Sequence, residues 1–587
     1  MKHTRYIAGV AMLALFSTSC NDDIFDRTPL TQVGESMEIF ESESGLETYA
    51  NGFYSYFDPK TILDDFTSDN CEHISNPPAI RKAIYTLPTA LGSGGWSWTQ
   101  LRNINYFIAH CERSSVDPEI KARYVGLARF FRAKFYFEKV KSFGDVPWYS
   151  HVLNTDDEEN LYMARTPRSV VMDSVLNDLD AAIEVLPETK YRNRISRWAA
   201  LAYKSRICLY EGTWRKYHTE AGLADADKFL KASEEAARQV MESGLYSLYS
   251  TGKPESDYGD LFQATEADLS EVLLARSAAP GKFFYYTPNF TSTSNGNYGV
   301  TASLVADYPM ADGRLFSEAY PDADVRDRMP CYQEMVDRDP RLLQTVIHPG
   351  YIRVGTSAIA VNDFAENRTG YQVIKRVGPP SEDQGGDTRD VILVRYAEVL
   401  LNYAEARAEL GTLDQADMDL TINVIRRRAG LPSRTLPLVT DQTQRDMYRN
   451  ASDPNILEIR RERRIELALE GFRKDDLIRW AEGERFRAVY KGIYISGMRE
   501  FIDLDGNNKP DLYVLAPTDE MPAEKVDGVQ YFRLSEVNGL SEGERGRLIP
   551  YNKTLKPFET WEYLNPIPME ELTLNPQLQQ NAGWDEQ

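Results

Sequence analysis

The chain has 587 residues, 42% of them hydrophobic, and a formal net charge of −22. At about 150 residues per domain this length amounts to two to four folding units rather than one small core. A surface so rich in carboxylates repels phosphate backbones, which sets nucleic acid aside as a partner.

The N-terminus reads as an export signal over residues 1–19, in which Lys2 and Arg5 precede the apolar run Ile7 to Phe16. That run is too short to span a bilayer as a mature helix. Ser17 and Ser19 fit an ordinary small-x-small cleavage site; alternatively, Cys20 directly after Ser19 is the cysteine of a lipobox, with Ser17 where leucine is usual. Acyl chains contribute roughly 0.8 kcal/mol per buried methylene, so an acylated Cys20 would hold the protein on a membrane through a polar tether over residues 20–34.

Helical rhythm then dominates. Glu119 to Ser142 and Pro167 to Leu186 form one predicted pair of helices. Ser196 to Glu211 places Ala199, Tyr203, Ile207 and Tyr210 on one stripe, and Asp225 to Glu242 does the same with Phe229, Leu230, Ser233, Ala236, Ala237, Val240 and Met241, capped by Gly244. The small residues Ala199, Ala202, Ala236 and Ala237 allow close approach, which predicts a tetratricopeptide-type hairpin. A second hairpin is predicted from Val394 to Leu410 and Asp417 to Ala429, closed by Gly411 and Gly430. No strict repeat of about 34 residues is visible, so a regular solenoid is not expected. Ser250 to Asp390 and Arg485 to Arg547 are rich in Gly, Pro, Asn, Thr and aromatic residues, and predict loops and short strands lying over the helices.

Several segments could carry function. Lys282 to Tyr298, KFFYYTPNFTSTSNGNY, does not sustain a helix. As an exposed loop it would let Tyr285, Tyr286 and Tyr298 stack on sugar rings while Asn289, Asn295 or Asn297 bonds hydroxyls. The competing reading pins Phe283, Phe284 and their neighbours to the core. Trp96 and Trp98 in GSGGWSWTQL form a second candidate, with Trp96 the freer and Trp98 packing at a helix start; Trp214 is read as structural. Asp503, Asp505 and Asp511 around Gly506 offer oxygens at alternate positions, as a calcium loop does, but the twelfth position from Asp503 is Val514 rather than glutamate. A solvated turn between two short strands is the favoured alternative. Cys71, Cys111, Cys208 and Cys331 are scattered, with no zinc-type spacing; buried free thiols are expected, and an oxidising compartment would permit a disulfide of undetermined pairing. No nucleophile elbow, P-loop or dinucleotide fingerprint occurs, so no cofactor and no catalysis are expected. A glycosidase carboxylate pair cannot be read from spacing alone.

The densest charge lies in Ile456 to Trp480, ILEIRRERRIELALEGFRKDDLIRW, where Leu457, Ile465, Ala468, Leu469 and Phe472 are expected on one helix face. Glu458 with Arg461 and Arg463 with Glu466 pair locally, and the remaining arginines need carboxylates from other elements unless the helix is a solvated one. This stretch resembles the ERRxELAxEGxRxxDLIRW signature of SusD/RagB proteins. Ala128 to Trp148, ARFFRAKFYFEKVKSFGDVPW; Leu393 to Ala406, LVRYAEVLLNYAEA; Ile422 to Pro432, INVIRRRAGLP; and the tail Tyr563 to Trp584, with Ala582 where proline is usual, are similar to further motifs of that family, in its order. The resemblance implies a mainly α fold, with tetratricopeptide-like hairpins as support and an irregular, loop-rich, short-strand ligand-facing half, divided into an N-terminal helical region 35–275 and a C-terminal RagB/SusD region 276–587. It also implies a surface-exposed outer-membrane lipoprotein that binds a nutrient without breaking bonds and passes it to a SusC-like TonB-dependent transporter. The cargo is an oligosaccharide in the first reading, a peptide or protein of the RagB type in the second, and a surface glycoside hydrolase is the third.

Overall fold

The computed structural model describes residues 37–57, 65–73, 77–277, 298–365, 367–382 and 388–585; the segments expected to be an export signal and a tether, with Cys20, lie outside them. The helical support consists of α1 (Thr99–Arg113), α2 (Pro118–Phe143), α3 (Arg168–Val185), α4 (Arg197–Tyr217), α5 (Ala226–Glu242) and, after a long insertion, α6 (Tyr396–Glu409), each packed on the one before it. α2 starts where Asp117 accepts the Glu119 N–H and Pro118 occupies the first turn, and it stops at Gly144, whose φ of 73° few other residues tolerate. No helix among the described residues is long and apolar enough to cross a membrane.

The expected α2–α3 and α4–α5 hairpins are both formed. Ala199, Ala202, Ala236 and Ala237 are buried between α4 and its neighbours. Contact between α4 and α5 is close enough that a Cβ on Gly212 would lie 2.8 Å from Leu230 Cγ and 3.0 Å from its backbone nitrogen. The segment from Asp417 to Ala429 differs from expectation. It is two short helices, α7 (Gln415–Leu420) and α8 (Ile422–Arg428), broken at Thr421, where ψ is −91° and the hydroxyl donates to the Asp417 carbonyl at 2.5 Å.

Ile456 to Trp480 is likewise not one helix. α9 (Pro454–Glu466) ends before Ala468, Leu469 and Phe472, and α10 (Arg473–Arg479) follows a turn in which Leu469 (φ 62°) and Gly471 (φ 86°) are left-handed. That turn brings Glu470 round beside Glu466, and both carboxylates hold Arg395, each at 2.7 Å. Nor is α9 solvated, for Ile456 through Glu466 are all buried. Its charges are paired across the fold: Arg464 with Asp307 at 2.5 Å and Asp69 at 3.4 Å, Arg463 with Asp476 at 2.9 Å, Arg461 with Asp441 at 2.7 Å, Glu462 with Arg341 at 2.6 Å. Glu466 faces Arg341, Arg395 and Arg428 at 2.9, 2.7 and 2.6 Å.

Strands β1 (Cys71–His73), β2 (Val272–Arg276), β3 (Tyr298–Val300), β4 (Val391–Arg395), β5 (Tyr494–Ile495), β6 (Phe501–Ile502), β7 (Leu512–Leu515), β8 (Gln530–Arg533), β9 (Gly539–Leu540) and β10 (Gly546–Ile549) form small sheets ordered β1–β3, β2–β4, β6–β7–β8 and β5–β10–β9. β2, β3 and β5 to β10 lie, as expected, in or at the edge of the two composition-shifted regions, whereas β1 and β4 fall outside them; the β1–β3, β6–β7–β8 and β5–β10–β9 sheets cover a second core containing Val300, Leu304, Val514 and Leu548. α9 and the turn after it join the two cores: Ile456, Leu457 and Ile459 belong to the helical one, Ile465 and, in the turn, Ala468 to the other. Cys71, Cys111, Cys208 and Cys331 are buried free thiols, and Trp214 is buried flat against His218 at 3.7 Å.

Burial by itself would raise the Glu405 carboxyl, but the guanidiniums of Arg479, Arg463 and Arg460 outweigh it and hold it down to about 2. Arg428, Arg395 and Arg341 likewise outweigh burial at Glu466 and hold it far below the usual range. Both groups bind protons less readily folded than unfolded. Their contribution is therefore complete above the ordinary value of 4.5 and is lost as pH falls from there toward about 2. Chemical denaturation across that window should show the decline. Glu466→Ala, which leaves three buried guanidiniums short of a counter-charge, should cost about 3–5 kcal/mol at neutral pH, whereas an unchanged denaturation midpoint would contradict the network's role.

Candidate ligand-binding cleft

The entry to α1 builds one wall of a wide cleft. Gly94 (φ 58°) and Gly95 (φ 91°) turn the chain so that the Trp96 ring drops inward, 1% exposed and edge-on to Phe143 at 4.8 Å. Trp98, the residue before α1, stays half-buried with its ring at the cleft. This reverses the expected order: Trp96 is the packing residue, and Trp98 is the ring available to a ligand. The reason is the glycine pair, which fixes the loop direction. Lys139 of α2 secures it, donating from its ammonium to the carbonyls of Gly95 and, at 2.7 Å, Ser97, with the nitrogen 5.2 Å from the centre of the Trp98 ring. Burial pushes Lys139 down to about 8 against the opposing attraction of Glu571.

The facing wall is the segment 147–155. The Asn105 amide donates to the carbonyls of Tyr149 and His151 at 3.0 and 3.1 Å, and the Tyr149 N–H donates to the Tyr136 hydroxyl at 2.5 Å. Arg132, held on both oxygens of Asp178 at 2.7 and 2.8 Å, adds a bond to the Ser150 carbonyl at 3.0 Å. Tyr149 stands edge-on to Trp98 at 5.6 Å. A further side is α11 (Met569–Leu574), whose Glu570 and Glu571 accept the N–H groups of Leu91 and Gly92 at 3.1 and 2.8 Å. The cleft is open to solvent, has a volume of about 750 Å³ and is bordered by exposed Arg102, His151, Asn154 and Thr155. Two fixed aromatic rings with amide, imidazole and guanidinium groups at the margin suit a ligand with apolar faces and many hydroxyls. Sequence reasoning found this loop through its tryptophans but missed Tyr149, Asn105 and Lys139, whose shared role exists only once α1, α2 and the 147–155 segment meet.

The other sequence candidates lie elsewhere. Tyr285, Tyr286, Asn289, Asn295 and Asn297 fall outside the described residues. Tyr298 is in β3, paired with His73 of β1, stacked on Phe66 at 4.5 Å and edge-on to His73 at 4.8 Å, and none of these three lines the cleft. Burial raises its phenol. Asp503, Asp505 and Asp511 have carboxylate oxygens within 4.8 Å of one another in the turn between β6 and β7. Asp503 accepts the N–H groups of Gly506 and Asn508, both at 2.7 Å, and Asp511 that of Leu504 at 2.8 Å, so these side chains hold the turn together.

Residues 271–584 match the profile of the SusD family. The chain belongs to the SusD family. Residues 97–209, which contain Trp98, Asn105, Lys139 and Tyr149, match a second profile described as starch-binding and associating with the outer membrane. A SusD-like protein of Formosa agariphila is 28% identical over 403 residues, 67% of this chain and 70% of that one. A SusD-like protein of Bacteroides ovatus is 23% identical over 495 residues, 80% and 81% of the two chains. Among solved structures, a SusD-like protein of Bacteroides fragilis superposes with a TM-score of 0.69 at 22% identity, covering 95% of this chain and all of that one. A SusD-like carbohydrate-binding protein of the same species gives 0.67, also at 22% identity, over 92% and 100%. These likenesses bear out the mainly α, helical-support fold. The motifs that carried the resemblance are scaffold: Arg132, Arg463, Arg464 and Glu466 hold elements together.

Separate substitutions should distinguish the two tryptophans. Trp96→Ala removes a fully packed ring and should cost about 3–5 kcal/mol; Trp98→Ala should cost clearly less, with thermal melts of the two variants giving the order.

Proposed function

We propose that this protein captures an oligosaccharide in the cleft between Trp98 and Tyr149 and passes it, unchanged, to a SusC-like TonB-dependent transporter in the outer membrane. The observation carrying this reading is the pair of half-buried rings held by Asn105, Tyr136 and Lys139 at the edge of a cleft of about 750 Å³. Stacking covers the apolar face of a sugar and needs no charge, while Asn154, His151 and Arg102 supply hydroxyl partners. Such preformed walls lose little entropy on binding. Glycoside hydrolysis needs two carboxyls facing one bond. Glu571 is the carboxylate lining this cleft, and it is already engaged by the Gly92 N–H, which supports binding without cleavage. Tyr285, Tyr286, Asn289, Asn295 and Tyr298 are proposed as a further contact for the same class of ligand. Acylation at Cys20 would keep the protein at the outer membrane's outer face.

Titration calorimetry across a panel of glycans should find at least one binder, with affinity reduced about tenfold or more by Trp98→Ala at a temperature where that variant remains folded. Binding to none of the panel, together with binding to a peptide library, would replace the sugar reading by peptide capture; release of reducing ends from any glycan would replace it by hydrolysis. Labelled fatty acid should enter the wild-type protein in its host and be absent from Cys20→Ser; equal labelling would remove the anchor.

A further inference from the structure

The β6–β7–β8 sheet has two unlike faces. Ile502, Leu512, Val514 and Phe532 point into the second core, whereas Phe501, Tyr513 and Tyr531 lie on the other side. Strand register places these three in a row: Phe501 is opposite Tyr513 in the antiparallel β6–β7 pair, and Tyr513 is opposite Tyr531 in the parallel β7–β8 pair. Ring centroids are 5.0 and 5.4 Å apart, with interplanar angles of 54° and 42°. Phe501 is 53% exposed and both tyrosines are half-buried. None of the three lines the Trp98 cleft.

We propose that this aromatic row is a second binding surface, taking a single soluble chain of pyranose sugars laid across the three strands. Leaving a phenylalanine and two flanking rings in partial contact with water is costly unless something covers them. Size argues against a protein as the cover. Three rings of about 150–250 Å² each, already half-buried in two cases, provide far less than the roughly 800 Å² per partner of a standard protein interface. Geometry argues for a sugar chain: each step along the row is about the length of one pyranose unit, so consecutive sugars meet consecutive rings. The tilt between neighbours makes the track twisted, which fits a free chain and prevents flush contact with a flat polysaccharide crystal. Polar groups of both signs flank the row. The Lys525 ammonium is 5.5 Å from the Tyr531 ring, and Arg499 pairs with Asp519 at 2.9 Å, so hydroxyl donors and acceptors are available without a demand for a charged ligand. The Tyr531 hydroxyl accepts the Val526 N–H at 2.9 Å, which fixes that ring in place.

Native electrophoresis through gels containing soluble starch, xylan, mannan, laminarin or polygalacturonate tests this, using full-length protein with the cleft disabled by Trp98→Ala. At least one polysaccharide should still retard that variant, and Tyr513→Ala in the same background should weaken the interaction about fivefold or more, while Tyr513→Phe retains most of it. Phe501→Ala, at the most exposed ring, gives an independent reading should Tyr513→Ala melt early. Retardation unchanged by replacing all three rings with alanine would overturn the proposal. So would a wild-type protein that is retarded and a Trp98→Ala variant that is not, a result that leaves the cleft intact as the sole site. The reverse outcome, full retardation of Trp98→Ala lost only with the aromatic row, would sustain the row and overturn the cleft reading. A wild-type protein retarded in no gel overturns both.

Discussion

Opposite charges withdrawn from water at α9 set the terms for the rest of the molecule. Removing a guanidinium or carboxylate from solvent costs several kcal/mol per ion, and only near-complete pairing offsets it. Glu466 therefore has three arginines around it, and Asp69 has Arg464, Arg473 and Arg485. Arg460 has a different environment, with Glu409 and Glu482 each at 3.7 Å and its guanidinium over the ring of Trp480 at 4.2 Å, where cation–π attraction takes the place of close hydrogen bonds. Because these partners come from both halves of the chain, a shift of one half against the other would strand buried charges. Apolar contact alone tolerates sliding; directional ion pairs do not.

This rigidity reaches the proposed cleft through α2. Arg132 is anchored on Asp178 of α3 and extends to the 147–155 segment, while Lys139 holds the loop before α1. The cleft walls are thus loop segments tied down onto the helical support, so the two rings are prepared for a ligand before it arrives. Under the proposed function such a site suits transfer of cargo, since stacking contacts on fixed walls allow release as well as capture.

The strand-bearing half uses the same chemistry differently. Its sheets are small, its turns are held by side chains such as Asp503 and Asp511 bonding backbone N–H groups, and its inner faces close the second core. Short strands in a fixed register are enough to align Phe501, Tyr513 and Tyr531 outward, an arrangement that no single segment contains.

Local pattern carried what depends on neighbours in the chain. The α4–α5 hairpin was legible because small residues recur at helical spacing, and the buried state of α9's charges was half legible, since four arginines near three glutamates cannot all be satisfied within one helix. The motifs around Arg132, Arg463 and Glu466 marked the family because those side chains meet obligatory partners. The breaks at Thr421 and Leu469 were not legible: at Thr421 the hydroxyl bonds the Asp417 carbonyl one turn back, and after α9 the Glu470 carboxylate meets the distant Arg395, and both override helical propensity. The exchange of roles between Trp96 and Trp98 rested on the φ of Gly94 and Gly95, which composition permits but does not impose. Residue types and spacing thus determined the helical support and its pairing, whereas only the tertiary structure decided which rings face solvent, because exposure depends on what distant segments leave uncovered.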